Sequence, residues 1–217
     1  MPLARRHARS PIEVAGRVEA LRTLVLVAAG DAQATVDQPF SPRESALLAR
    51  QPDAWDPQDV VDAIWRGEAL GTLAWALGAV AELPAYDRPF DHVELARGLR
   101  LEREPSLRPV DALERARESA RLWHWRARTT LLQGDPTVRL PERWASFDQL
   151  IAAAAMRGHE EGLLPAPHRG DFPAFGTSYR QLDGEQRGLA LSIASERHVA
   201  LTWLCGDSPW DETPLDT

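Results

Sequence analysis

Residues 192–204 read SIASERHVALTWL and set three ionisable side chains, Glu196, Arg197 and His198, inside an otherwise apolar run. A carboxylate and an imidazole can pass protons to and from a substrate, and a guanidinium can grip an anion through a planar fork of donors. A second set stands at Arg117, Arg121, His124 and Arg128. Its i, i+4, i+7, i+11 spacing draws one line along a helix. Trp123, Ala127 and Leu131 border that line on one side, Trp125 and Leu132 on the other. The third candidate is Glu68, in the middle of an arc made by Val61, Ile64 and Trp75.

At about 100° per residue, Arg197 falls among Leu189, Ile193, Ala200 and Leu204. His198 lies in line with Leu191, Ala194, Leu201 and Cys205. A guanidinium so placed keeps its proton and needs a carboxylate or several carbonyls. The expectation is one network holding Glu68 and Arg197, directly or through His198, Glu196 or a water. On the basic line, Arg121 and Arg128 are expected to be deeper than Arg115 and Arg126, against acids of another helix or a bound anion. Three chemistries stay open: an inter-helix ion network, a pocket for a small anion, and catalysis by His198 or His124 with Glu196 or Glu68 as partner.

Other chemistries are excluded by residue types. All 25 basic residues are Arg, which removes any Schiff-base or phosphate-loop lysine. Cys205 is the single cysteine, so no internal disulfide and no cysteine-based zinc site can form. Asp91, His92 and Glu94 in DHVE, and His159, Glu160 and Glu161 in RGHEEG, lack HExxH spacing and sit at helix ends. No metal and no cofactor are expected. GEALGTLAWALG follows no strand, so Gly67, Gly71 and Gly78 read as points of close helix packing and not as a phosphate loop. Ser178 in GTSYR lacks the nucleophile-elbow pattern. A net charge of −7 speaks against a nucleic-acid partner. The apolar run of about 18 residues that a membrane span requires is absent. Glu13, Arg17, Glu19 and Arg22 interrupt the approach to LRTLVLVAAG, so export is not expected and the cytoplasm is.

The positioning elements are helices with written starts. SPIE at 10–13 and SPRE at 41–44 each place Ser at the N-cap, Pro at the first helical position and Glu two residues later. DPQD at 56–59 is a near relative. Helices are expected over 11–29, 42–50, 57–83, 91–101, 109–132, 146–157 and 184–205. Residues 163–183, rich in Pro, Gly and aromatics, read as an ordered loop with a strand pair around Ala174 and Tyr179. The fold class is mainly α: a single-domain, bundle-like fold of about six or seven helices with a minor β element near residues 170–182. Residues 1–9 are expected to form a flexible N-terminus and 10–217 the domain. In the tail, SPWDETPLDT, Trp210 is expected to dock on the helical body.

IWRGEALGTLAWALGAVAELP resembles the W-R-x-E…L-x-W-A-L-G stretch of a bacterial family, the domain of unknown function numbered 4272. SERHVALTWLCG resembles the family's E-R-H-x-A-L-x-W-L segment, and PWDETPLDT its W-D…D-T ending. SPRESALL, RLWHWRAR and GDFPAFGTSYRQL follow in matching order, so the resemblance spans about residues 10–217. Gly67 and Thr202 stand where the family pattern implies a bulkier residue and an Asn. The resemblance implies a single helical domain of bacterial origin and no particular reaction. The residues favour a non-enzymatic cytoplasmic binding or interaction module, acting through a protein partner or a small anionic ligand, with a homodimer compatible. The alternative is a hydrolase or transferase using the same Glu/Arg/His constellation on a small anionic substrate.

Overall fold

The computed structural model describes residues 8–31, 38–135 and 137–215. Among them are seven α-helices: α1 Pro11–Ala28, α2 Pro42–Leu48, α3 Pro57–Ala76, α4 His92–Gly98, α5 Val110–Leu132, α6 Phe147–Glu160 and α7 Gly184–Leu204. The β element is one antiparallel pair, β1 Pro173–Ala174 with β2 Thr177–Ser178. The fold is mainly α, with a minor β element.

Both expected capping boxes form. The Ser10 and Ser41 hydroxyls accept from the backbone N–H of Glu13 and Glu44, and each Glu reaches back to its Ser N–H. Asp56 caps α3 without a side-chain hydrogen bond. α3 ends at Ala76, short of the expected 83. Gly78 takes φ +79° and turns the chain: the Gly78 N–H donates to the Trp75 carbonyl and the Ala79 N–H to that of Ala74, each at 2.9 Å. Gly78 is therefore a helix stop, not a packing point. Gly67 and Gly71 do mark close packing, because a Cβ at either would collide with His92 or Phe90.

α7 is the centre. It packs on α3 and α5, and α3 packs in turn on α1 and α4. Leu21, Leu70, Leu73, Ile193 and Leu201 are completely buried in one apolar cluster. Segments near both termini fasten to the C-terminal end of α7. The Arg9 N–H donates to the Leu204 carbonyl at 3.0 Å, so the last described part of the expected flexible N-terminus is anchored; residues 1–7 lie outside the described residues. Trp210 docks edge-on against Trp203, ring centroids 5.5 Å apart, with the Arg17 guanidinium 4.4 Å from its ring. Residues 216–217 of the tail also lie outside the described residues. Among the described residues, no helix is long and apolar enough to cross a membrane.

Candidate functional site

Successive helical residues point about 100° apart, and Glu196, Arg197 and His198 accordingly meet three different partners. Arg197 Nε donates to Glu68 Oε2 at 2.8 Å, and both side chains have no exposed surface. Arg197 also donates to the carbonyls of Pro84 and Arg88. The other oxygen of Glu68 accepts from the Phe90 N–H at 2.6 Å and lies 3.0 Å from His92 Nε2. The sequence placed His92 at a helix end and not in this network. It reaches Glu68 because Gly67 leaves room for it. The pair thus clamps the loop between α3 and α4 against α7, with each Arg197 nitrogen and both Glu68 oxygens engaged.

Glu196 meets Arg66 of α3, two residues before Glu68. Both its oxygens lie 3.0 Å from Arg66 Nη1. Burial raises the Glu196 carboxyl above its ordinary range, against the pull of Arg66. His198 faces α5 instead, with its Nδ1 3.0 Å from Nδ1 of His124. One ring therefore donates and the other accepts, which requires opposite tautomers and at most one shared proton between them. Burial, aided by His124, Arg121 and Arg117, pushes His198 down to about 4, and burial also lowers His124. Both rings are neutral at pH 7.

The basic line is arranged otherwise than expected. Arg121 is partly exposed and pairs with Glu118 of its own helix. Arg128 is exposed. Among the described residues neither meets an acid of another helix. Arg117 lines a cleft of about 310 Å³ with Thr202, Asp207 and Ser208. Asp207 and the C-terminal carbonyls of α7 make this a poor place for an anion. The deeply buried arginine of α5 is Arg126, expected to be shallower: it has no exposed surface and forks onto Asp171 at 2.6 and 2.8 Å. Burial pushes the Asp171 carboxyl up, but Arg126 and the N–H groups of Phe172 and Arg180 outweigh it and hold it below the usual range. The contact with Asp171, in the loop before β1, draws Arg126 inward, and that partner lies 45 residues away.

Open charge collects elsewhere. A cleft of about 560 Å³ lies between α2, α3 and the C-terminal segment, with Leu24, Leu47 and Trp210 as apolar walls. Its acids are occupied: Glu44 by Arg17, Asp59 by Arg50, Asp62 by Gln58 and Asp211 by the backbone N–H of Arg43. Of its three arginines, Arg50 is held by Asp59, and Arg43 and Arg66 are less fully engaged. Among the described residues the Arg43 guanidinium has no hydrogen-bond partner, and Arg66 engages only Nη1. The readable signal was the i, i+3, i+7 run Asp59, Asp62, Arg66 along α3. Among the described residues no group of three or more His, Cys, Asp or Glu is placed to hold a metal.

Fold and site define a mainly helical protein with sealed ion pairs between its central helices and one half-satisfied charged cleft. The sequence model of the domain of unknown function DUF4272 matches residues 4–152, and the chain belongs to that family. The match covers α1 to α5 and the start of α6, with α7 beyond it. No curated protein and no solved structure matches the chain.

Proposed function

We propose that this protein is a non-enzymatic cytoplasmic binding module, and that its ligand is a small anion with an apolar body held in the α2–α3 cleft. The observation that carries the reading is the imbalance of that cleft: its carboxylates have partners, while Arg43 and Arg66 keep free N–H groups beside Trp210. The enzyme reading finds less support. Glu68 and Arg197 are sealed, and the two imidazoles face each other. The single cysteine and the lack of a membrane-crossing helix among the described residues agree with a reducing cytoplasm. Isothermal titration with hexanoate tests the site. Saturable binding at millimolar concentration is expected, weakened about tenfold in Arg43→Ala with an unchanged unfolding midpoint. No heat of binding, or equal binding by the variant, contradicts the assignment.

A further inference from the structure

The α2–α3 cleft does not balance its own charge. Arg43, Arg50 and Arg66 line it together with Glu44, Asp59, Asp62 and Asp211. Ion pairs settle most of these: Arg17 with Glu44, Arg50 with Asp59, and Arg66 with Glu196 of α7. Arg43, Asp62 and Asp211 remain. Asp62 accepts from the Gln58 amide at 2.7 Å, and Asp211 from the Arg43 backbone N–H at 2.9 Å. Both donors are neutral, so each carboxylate is hydrogen-bonded and still carries its charge. Among the described residues each uses a single oxygen, Oδ1 of Asp62 and Oδ2 of Asp211, and keeps the other to spare.

Asp62 and Arg66 stand at i, i+4 on α3, the spacing at which opposite charges ordinarily close on each other. Among the described residues no ion pair joins them, and Arg66 Nη1 lies instead 3.0 Å from both Glu196 oxygens. An acid and a guanidinium held one turn apart, both lining the same cleft, make a two-point receptor. A ligand offering only an anion meets Asp62 and Asp211 as like charges, which costs affinity. A ligand with an ammonium beside its carboxylate meets a partner for each. Leu24, Leu47 and Trp210 offer an apolar side chain a surface to lie against. The volume of about 560 Å³ falls within the roughly 300–1,000 Å³ of small-molecule pockets.

Resting on the reading of this cleft as the ligand site, we infer that its ligand is a free α-amino acid with an apolar side chain. Arg43 and Arg66 donate to its carboxylate, and Asp62 accepts from its ammonium. Norleucine is hexanoate with an α-ammonium, and pentylamine is norleucine without its carboxylate. All are titrated calorimetrically into the full chain at pH 7. Norleucine should bind about tenfold more tightly than hexanoate or pentylamine. Asp62→Asn keeps an oxygen for the Gln58 amide at an exposed helix position, so its unfolding midpoint should hold. It should weaken norleucine about tenfold and leave hexanoate no weaker. Norleucine no tighter than hexanoate overturns the inference and leaves the cleft reading standing. Pentylamine matching norleucine overturns it too, since the carboxylate then adds nothing. So does equal norleucine affinity in the native chain and Asp62→Asn. No heat from any of the ligands overturns the inference and the cleft reading together.

Discussion

α3 carries charge on two faces and treats it in opposite ways. Toward α7, Glu68 is sealed against Arg197, His92 and the Phe90 N–H. Toward α2, Asp62 and Arg66 border an open cleft, and the arginines there keep unused donors. The physics differs accordingly. A charge with no exposed surface must be matched group by group, and taking one partner away leaves the other stranded. A charge at a cleft mouth is screened by water and contributes about 0–1 kcal/mol to stability, so it is free to recognise a ligand. The first face sets helix register, and the second is available for binding.

The largest effect should come from breaking the sealed face. Arg197→Met strands Glu68 and removes donors from the Pro84 and Arg88 carbonyls. It should cost about 3–5 kcal/mol in urea unfolding. A loss below about 1 kcal/mol would place this pair in the same class as the cleft charges.

A smaller, pH-dependent effect belongs to the α5–α7 seam. His198 titrates near 4 in the folded chain and near the ordinary value of about 6.5 when unfolded. Between these values the unfolded chain binds the proton first. The stability held by neutral His198 is therefore full above about pH 6.5 and is lost as pH falls toward 4. Around it stand His124, Arg117 and Arg121, all opposing protonation, with Glu118 favouring it. His198→Gln should flatten the fall of the urea midpoint between pH 6.5 and 4, and an unchanged slope would show that other groups set it. The smallest stability effect is on the open face, where Arg43→Ala should shift unfolding by no more than about 0.5 kcal/mol.

Helix starts were legible because a capping box is local: Ser, Pro and Glu within four residues satisfy their own backbone. The Glu68–Arg197 pairing was legible because both sit in apolar arcs and neither can stay unpaired there. Arg126 was not legible, since its burial depends on Asp171 in the loop before β1, and no wheel drawn on α5 contains that acid. The basic line misled for the same reason: Trp neighbours flank Arg121 and Arg128, yet Arg121 stays partly exposed on Glu118 of its own helix and Arg128 is exposed. His92 was dismissed as an end-of-helix residue, and its role rests on a missing Cβ at Gly67. The end of α3 was misplaced because Gly78 was read for its small size and not for its left-handed backbone.

The central claim is that Glu68 and Arg197 form a structural pair and not a reaction site, and a double-mutant cycle tests it most directly. Glu68→Gln, Arg197→Met and the combined variant are unfolded in urea at pH 7. The combined loss should fall short of the summed single losses by at least about 1 kcal/mol, because each single change strands a buried partner that the double change removes. Losses that add to within about 0.5 kcal/mol would contradict the pairing and return Glu196, Arg197 and His198 to consideration as a reactive group.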